Sequence, residues 1–314
     1  MSTLTFAVCS YNRCQRLRQV LPEMRRQTAP VAFRVLVVDN NSTDATAEVV
    51  RSEAKRPGAP LDYVFEERQG ISHARNRALA ESLDNDYLVF IDDDEIPAPG
   101  LLAAAVRTMD DNGAACVGGR VKIRFPDDRR PGWLSDELKG FLAEVDYGEQ
   151  PFWIQDQTTP IWTANIAYRM SLFREEPSLR FDARYNRAGN AVGGGEDAMM
   201  LRALLDRKVP IRYCPEMVVE HHVESWRLKR RYFLKLHFVA GRRFGQYETG
   251  VYTNAWLGVP PFMVTLLLRQ SIRAAGMTLL RQPGALRQAM NASHAAGAIL
   301  GRFNAWRARE GFQR

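Results

Sequence analysis

The sequence predicts an α/β domain, built on a mostly parallel sheet with helices on both faces, followed by a helical, basic C-terminal extension. Three observations lead there. Short apolar runs of strand length alternate with amphipathic helical stretches through the first 123 residues. Each apolar run ends in a polar cluster, as the carboxyl ends of parallel strands do where they hand over to loops. From Trp226 onward the texture changes: up to Arg314 there are 15 Lys or Arg against two acids, Glu248 and Glu310, so the extension carries +13 and the first 225 residues −6 of the net +7. The boundary is therefore drawn between 1–225 and 226–314.

Leu4 to Cys9 reads as a short buried strand, followed by the polar turn Ser10-Tyr11-Asn12-Arg13 and a helix showing Leu17, Leu21 and Met24 on one face, which Pro22 weakens. Phe33 to Val38 is apolar and β-branched. It ends at Asp39-Asn40-Asn41-Ser42-Thr43-Asp44, a run of cap and turn formers leading into a helix over Ala45 to Ala54. Leu61 to Phe65 is the third strand, Gly70 allows a turn, and Ser72 is the expected N-cap of a helix from His73 to Leu83. Tyr87 to Glu95, reading YLVFIDDDE, is the central strand. Pro99, the apolar face of Leu102 and Val106, and Gly113 frame another helix before a fifth strand, Ala115 to Ile123. Residues 124–160 lose periodicity around four prolines, so a loop-rich excursion with one short helix near Ser135 to Val145 is expected. Ile161 to Tyr168, which contains Trp162 and Asn165, is a further strand. A loop from Asn190 to Gly195, with three consecutive glycines, delivers Glu196 and Asp197 to the start of a helix over Ala198 to Leu205, and Ile211 to Val223 is a last strand ending in His221-His222.

The chemistry concentrates in YLVFIDDDE. On an extended backbone Asp92 and Asp94 project to one side and Asp93 to the other. Two carboxylates converging there repel, and a hard divalent ion, Mg2+ or Mn2+, would cancel the repulsion and leave positions open for a phosphate. A solvated acidic turn is the plainer alternative. Asp39 shares the same sheet edge, either as a turn residue or as part of the same site. Arg75, in the first turn of its helix, is unfavourable for the helix dipole and so should have another partner, a phosphate or simply solvent. Glu196 and Asp197 at a helix start are either dipole partners or acceptors for a hydroxyl proton. Of His221 and His222, which face opposite ways on a strand, at most one can join the acidic cluster.

Composition is globular, with 46% hydrophobic and 25% charged residues and no repeat or low-complexity tract. Cys9, Cys14, Cys116 and Cys214 lack metal-site spacing and are expected to be reduced, as in a cytoplasmic protein. Neither a signal-peptide pattern nor a run of 18 apolar residues occurs, so export and membrane spanning are not expected. In the extension, Arg227, Lys229, Arg230, Arg231 and Lys235 alternate with aromatic and aliphatic residues, Val259 to Leu268 is the most apolar patch, and Ala285 to Arg309 is helical although Gly297 and Gly301 weaken it. This region either lies against the inner face of an anionic membrane or packs on the body. Nucleic acid is not an expected partner, because no reading motif is present and the body is acidic.

The segments TFAVCSYNR, LVVDNNSTD, GISHARNRAL, YLVFIDDDE, WTANIAYR, GGGED and VEHHV, in that order between about Thr5 and Arg231, resemble the inverting glycosyltransferases of family 2, of the kind that builds bacterial cell-surface polysaccharides. The resemblance implies the GT-A fold, with a nucleotide-sugar half over about 1–123 and an acceptor half over about 124–225. It implies a nucleotide-sugar donor, by default UDP-linked, and as acceptor a hydroxyl of a glycan or lipid-diphosphate-linked molecule. By the same resemblance Tyr11, Asn12 and Asp39, with Arg13 and Asn41 beside them, hold base and ribose. Arg75 meets the nucleotide or its diphosphate, Asp92 lies on the ribose side with Asp93 also among the nucleotide-sugar-binding residues, and Asp94 and His221 hold Mn2+ or Mg2+. Trp162 and Asn165 lie on the acceptor side, and Asp197, with Glu196 next to it, is the base of a single displacement with inversion. A sugar nucleotidyltransferase or another metal-dependent phosphoryl-transfer enzyme could use the same acidic edge without needing Asp197.

Overall fold

A strand that is apolar along its whole length has to be covered on both faces. Thr3–Ser10 (β1) meets that condition: five successive residues, Leu4 to Val8, are buried. The computed structural model describes residues 2–189 and 191–311. From β1 the chain alternates as its sequence pattern requires, through α1 (Cys14–Arg25), β2 (Ala32–Asp39), α2 (Thr46–Ala54), β3 (Leu61–Phe65), α3 (Ile71–Glu81) and β4 (Tyr87–Asp92). Pro22 sits inside α1 without ending it, and Leu17, Val20, Leu21 and Met24 form its buried face. The first residue of α3 follows Gly70, whose φ of +136° a side chain could adopt only under strain. Ser72 is therefore not the N-cap; its hydroxyl donates to the Asp182 carbonyl oxygen at 3.3 Å.

The second half departs from simple alternation. A three-residue strand, β5 (Glu95–Pro97), follows β4 directly, and then come α4 (Leu101–Asn112), β6 (Cys116–Arg124), β7 (Phe152–Ile154), β8 (Asn165–Arg169), α5 (Ser171–Glu175), α6 (Glu196–Asp206) and β9 (Ile211–His222). The helix near Ser135 is a 3-10 segment, Asp136–Leu142. Among the described residues the strands form one sheet in the order β3-β2-β1-β4-β8-β6-β9-β5, with β7 beside β9. The pairs β3-β2, β2-β1, β1-β4 and β6-β9 are parallel. The pairs involving β8, β5 and β7 are antiparallel, so the parallel half ends at β4. Close approach at β6 is allowed by glycine. A Cβ on Gly118 would lie 2.2 Å from Ile161 Cγ2, and one on Gly119 2.3 Å from both Asn165 Nδ2 and the Met217 carbonyl oxygen.

The chain divides into two compact units, one made of residues up to 189 with 195–223, the other of 191–194 with 224–311. The second holds α7 (Arg230–Arg243), continued by a π-helical turn over Phe244–Glu248, α8 (Pro261–Leu279) and α9 (Ala285–Gly311). Within it, Arg243 donates from its guanidinium to the Gly194 carbonyl oxygen. Gly297 and Gly301, expected to weaken α9, have the opposite role. A Cβ on Gly297 would lie 2.0 Å from the Phe238 carbonyl oxygen and one on Gly301 2.0 Å from that of Arg242, while Gly241 and Gly245 stand as close to the carbonyls of His294 and Ala298. Glycines four apart on both helices let the two backbones touch. A larger side chain has no room here. Gly297→Leu is expected to destabilise this unit by about 1–3 kcal/mol through overpacking. Gly276→Ala in α8, where a Cβ meets nothing within 4 Å, should stabilise it by roughly 0.4–1 kcal/mol. Thermal melts of the two variants, moving in opposite directions, check the reading.

Candidate active site

The pairing registers bring the polar strand ends to one edge. Ser10 at the end of β1 lies opposite Asp39 of β2, and Cys9 opposite Asp92 of β4. This is the carboxyl edge of the parallel strands, the usual ligand edge of such sheets.

Asp92, Asp93 and Asp94 do not continue along one extended strand. Glu95 is fully buried, and its carboxylate accepts the Asp92 backbone N–H at 2.8 Å. The chain turns over Asp93 and Asp94 and returns as β5, where Glu95 is the register partner of His221. The three aspartates consequently meet three different partners. Asp92 pairs with Arg75 at 3.2 Å, Asp93 accepts from the Ser10 hydroxyl at 2.7 Å, and Asp94 Oδ1 lies 3.2 Å from His221 Nδ1. Burial and the neighbouring Asp94 carboxylate push Asp93 up to about 7, against the opposing pull of Arg13. Of the two histidines, His221 is buried and faces the acids; His222 contributes its backbone N–H to the Asp94 carbonyl oxygen at 3.0 Å.

Arg75 joins this edge to α6. Its side chain is 4% exposed and donates to Glu196 Oε1 at 2.5 Å as well as to Asp92, with the guanidinium 5.7 Å from the Phe181 ring centroid. Burial works against its charge, but Glu196, Asp92 and Asp197 together raise its pKa. The sequence suggested a phosphate partner for Arg75. In the structure its guanidinium donates to two carboxylates. Glu196 and Asp197 open α6 behind Gly195, whose φ is +127°. A helix amino terminus favours carboxylates, yet burial and then the adjacent Glu196 raise Asp197 to about 6, with Arg75 lowering it. Asp197 Oδ1 accepts the Ala198 N–H at 2.8 Å.

The turns after β1 and β2 are braced by residues expected to bind base and ribose. Asn12, at φ +52°, accepts the Thr43 N–H at 2.7 Å and the Asp44 N–H at 3.2 Å on its side-chain oxygen. Asp39 is 2% exposed; one oxygen accepts the Ser42 N–H at 2.9 Å and the other the Tyr63 hydroxyl at 2.8 Å. Both carboxylate and amide are thus committed to loop shape. Tyr11 and Arg13 are half-buried at the exit of β1, and Asn41 is exposed with φ +64°. Asn165 is buried, and its amide donates to the Arg120 and Met217 carbonyl oxygens at 3.0 and 2.8 Å, bridging the register shift between β6 and β9. Trp162 is half-buried against the core. Asn190, the first residue of the expected glycine loop, lies outside the described residues.

Three residues of the site went unnoticed in the sequence. Ser10 could have been suspected from its place at a strand end. Glu95 gave no signal, since its burial depends on β9. Asn40 accepts the Gly70 N–H at 2.6 Å and donates to the Arg68 carbonyl oxygen at 2.8 Å, which fixes the entry to α3.

A divalent cation fits at Asp94 and His221. A hard oxygen and an imidazole nitrogen stand side by side, and Glu95 Oε1, buried and without a hydrogen-bond partner among the described residues, lies 3.7 Å from the same nitrogen. No group of three or more His, Cys, Asp or Glu suited to a metal occurs among the described residues. Asp94 and His221 are the side chains that would hold such an ion, with substrate oxygens or water completing the shell.

The family described as Glycosyl transferase family 2 matches residues 5–176. The chain is 27% identical over 248 residues to the succinoglycan biosynthesis protein ExoM of Rhizobium meliloti, covering 77% of this chain and 74% of that protein. It is 32% identical over 130 residues to the glycosyltransferase AglE of Haloferax volcanii, covering 40% and 42%. The mannosyltransferase PcManGT of Pyrobaculum calidifontis, solved with GDP-Man and Mn2+, superposes with a TM-score of 0.63 at 20% identity over 96% of this chain and 87% of that one. S. aureus TarS 1-349 with UDP does so at 0.53 and 17% identity, over 99% and 92%. At these identities the structural likeness carries the fold. The chain belongs to glycosyltransferase family 2.

Proposed function

We propose that this glycosyltransferase moves a sugar from a nucleoside-diphosphate donor, UDP-linked by default, to a hydroxyl of a glycan or lipid-diphosphate-linked glycan, with inversion in a single displacement. The observation that carries the reading is the tie through Arg75, which brings the acidic end of β4 and the Glu196-Asp197 pair together. Support for the donor comes from the nucleotides bound in PcManGT and TarS, and for a glycan acceptor from the succinoglycan role in the name of ExoM.

Asp197 is proposed as the base. A carboxylate with a pKa near 6 is a stronger base than an ordinary aspartate and is still ionised at neutral pH. It takes the acceptor hydroxyl's proton as that oxygen attacks the anomeric carbon on the face opposite the diphosphate; the bond from that carbon to the diphosphate breaks in the same step. Arg75, paired with the adjacent Glu196, favours the ionised form of Asp197 by its charge. Asp94 and His221 would hold Mn2+ or Mg2+, and the chemistry such an ion supplies when bound is charge compensation for the departing diphosphate.

Asp197→Asn is expected to lower kcat by about 100-fold or more with donor binding nearly intact, measured as turnover beside calorimetric donor titration. In the wild type the rate should fall as pH drops through about 6, because Asp197 then takes up a proton and can no longer accept one. Arg75→Gln removes the cation that lowers the Asp197 pKa, so this acid limb should shift to higher pH; uncompensated acids beside it should also cost about 3–5 kcal/mol of stability, read by chemical denaturation. Asp94→Ala should abolish the Mn2+-dependent part of donor affinity, and unchanged titrations with and without Mn2+ would remove Asp94 from that role.

A further inference from the structure

The second unit carries a surface that the transfer chemistry does not use. α8 is 19 residues long, about 28 Å, and of these only Met263 and Ala274 are buried. Val264, Leu268, Ile272 and Leu279 are 45%, 58%, 73% and 83% exposed. Their spacing of four, four and seven puts them on one stripe, and by helical geometry this stripe points away from the face that holds Met263 and Ala274. A continuous apolar stripe on an outer face needs an occupant.

We infer that this stripe is a docking surface for an anionic lipid bilayer, on which α8 lies parallel to the membrane plane. Charge selects the occupant. Residues 249–309 contain no Asp or Glu and seven Arg, among them Arg269 and Arg273 within α8 and Arg281 just beyond it. By helical geometry Arg269 lies beside the stripe, roughly 60° round from Ile272, and Arg273 roughly 40° farther on; long guanidinium side chains reach headgroup phosphates from there while the aliphatic residues enter the acyl boundary. A second copy of the chain is the less favoured occupant, because it would bring arginine against arginine. Trp256, 80% exposed in the segment that leads into α8, is the residue type that sits at headgroup depth. No helix among the described residues is long and apolar enough to cross a membrane, and a stripe on one face of a helix is the pattern of a segment that lies in the interface.

The test is flotation of the full chain with vesicles of phosphatidylcholine alone and of phosphatidylcholine containing phosphatidylglycerol, at low and high salt. Binding should require phosphatidylglycerol and weaken with salt. The double variant Leu268→Glu, Ile272→Glu should lose about 10-fold or more of the bound fraction, and Arg269→Glu, Arg273→Glu should do the same without touching the apolar stripe. All four positions are exposed, so circular dichroism should match the wild type. The readout is binding alone, so the result stands apart from the proposed transfer reaction. Equal binding to neutral vesicles, or no loss in either variant, overturns the inference. So does a concentration-dependent dimer, seen by light scattering, that Leu268→Glu, Ile272→Glu dissolves, since the stripe would then belong to a second copy.

Discussion

A single buried guanidinium organises this chain. Arg75 sits near the amino-terminal end of α3, one turn in from its start, with almost no access to water, and burial is unfavourable for a cation. It is stable there because Glu196 and Asp92 approach it from two other segments, 121 and 17 residues away. The reverse holds as well. Without Arg75, carboxylates from β4 and α6 would face one another in a protected space, and two like charges at that range do not both stay ionised. The framework around Arg75 serves this arrangement: Gly70 lets α3 begin where it does, Asn40 holds Gly70, and Phe181 lies against the guanidinium.

The carboxyl groups at this edge are differentiated by their surroundings. Asp93, held by Ser10 and shielded, is pushed toward neutrality. Asp94 faces an imidazole, and Asp92 faces a guanidinium. Glu95 lies under the turn, where burial and then Asp92 and Asp94 drive its carboxyl well above the usual range. Four consecutive acids would repel one another in an open loop. Separate partners let them share one turn.

The parallel half of the sheet was legible because its signals are local. Strand-length apolar runs, each ending in cap and turn formers, marked β1 to β4 and α1 to α4 within a few residues, and every polar cluster so marked reached the same edge. Signals that depend on distant partners were not legible. YLVFIDDDE reads as one strand, because nothing within it shows that Glu95 will be drawn under β9. The motif around Asn165 does not show that its side-chain N–H groups bridge a register shift, which exists only once β6 and β9 are paired. Ser72 reads as a cap, but the helix begins two residues earlier than that cap implies because Asn186 and Asn40 already fix the backbone at Gly70 and Ser72. Gly297 and Gly301 lower helix propensity locally and raise packing globally, and only the second effect requires a partner helix.

The pairing of Glu95 with His221 has a mechanical corollary. One short strand of three residues fastens the aspartate turn to the end of β9, and the His222 N–H donates to the Asp94 carbonyl oxygen, so Asp94 and His221 are held side by side. Fraying of that ladder would loosen the contact between Asp94 and His221, which ties this corner of the edge to the integrity of β5, a strand of only three residues.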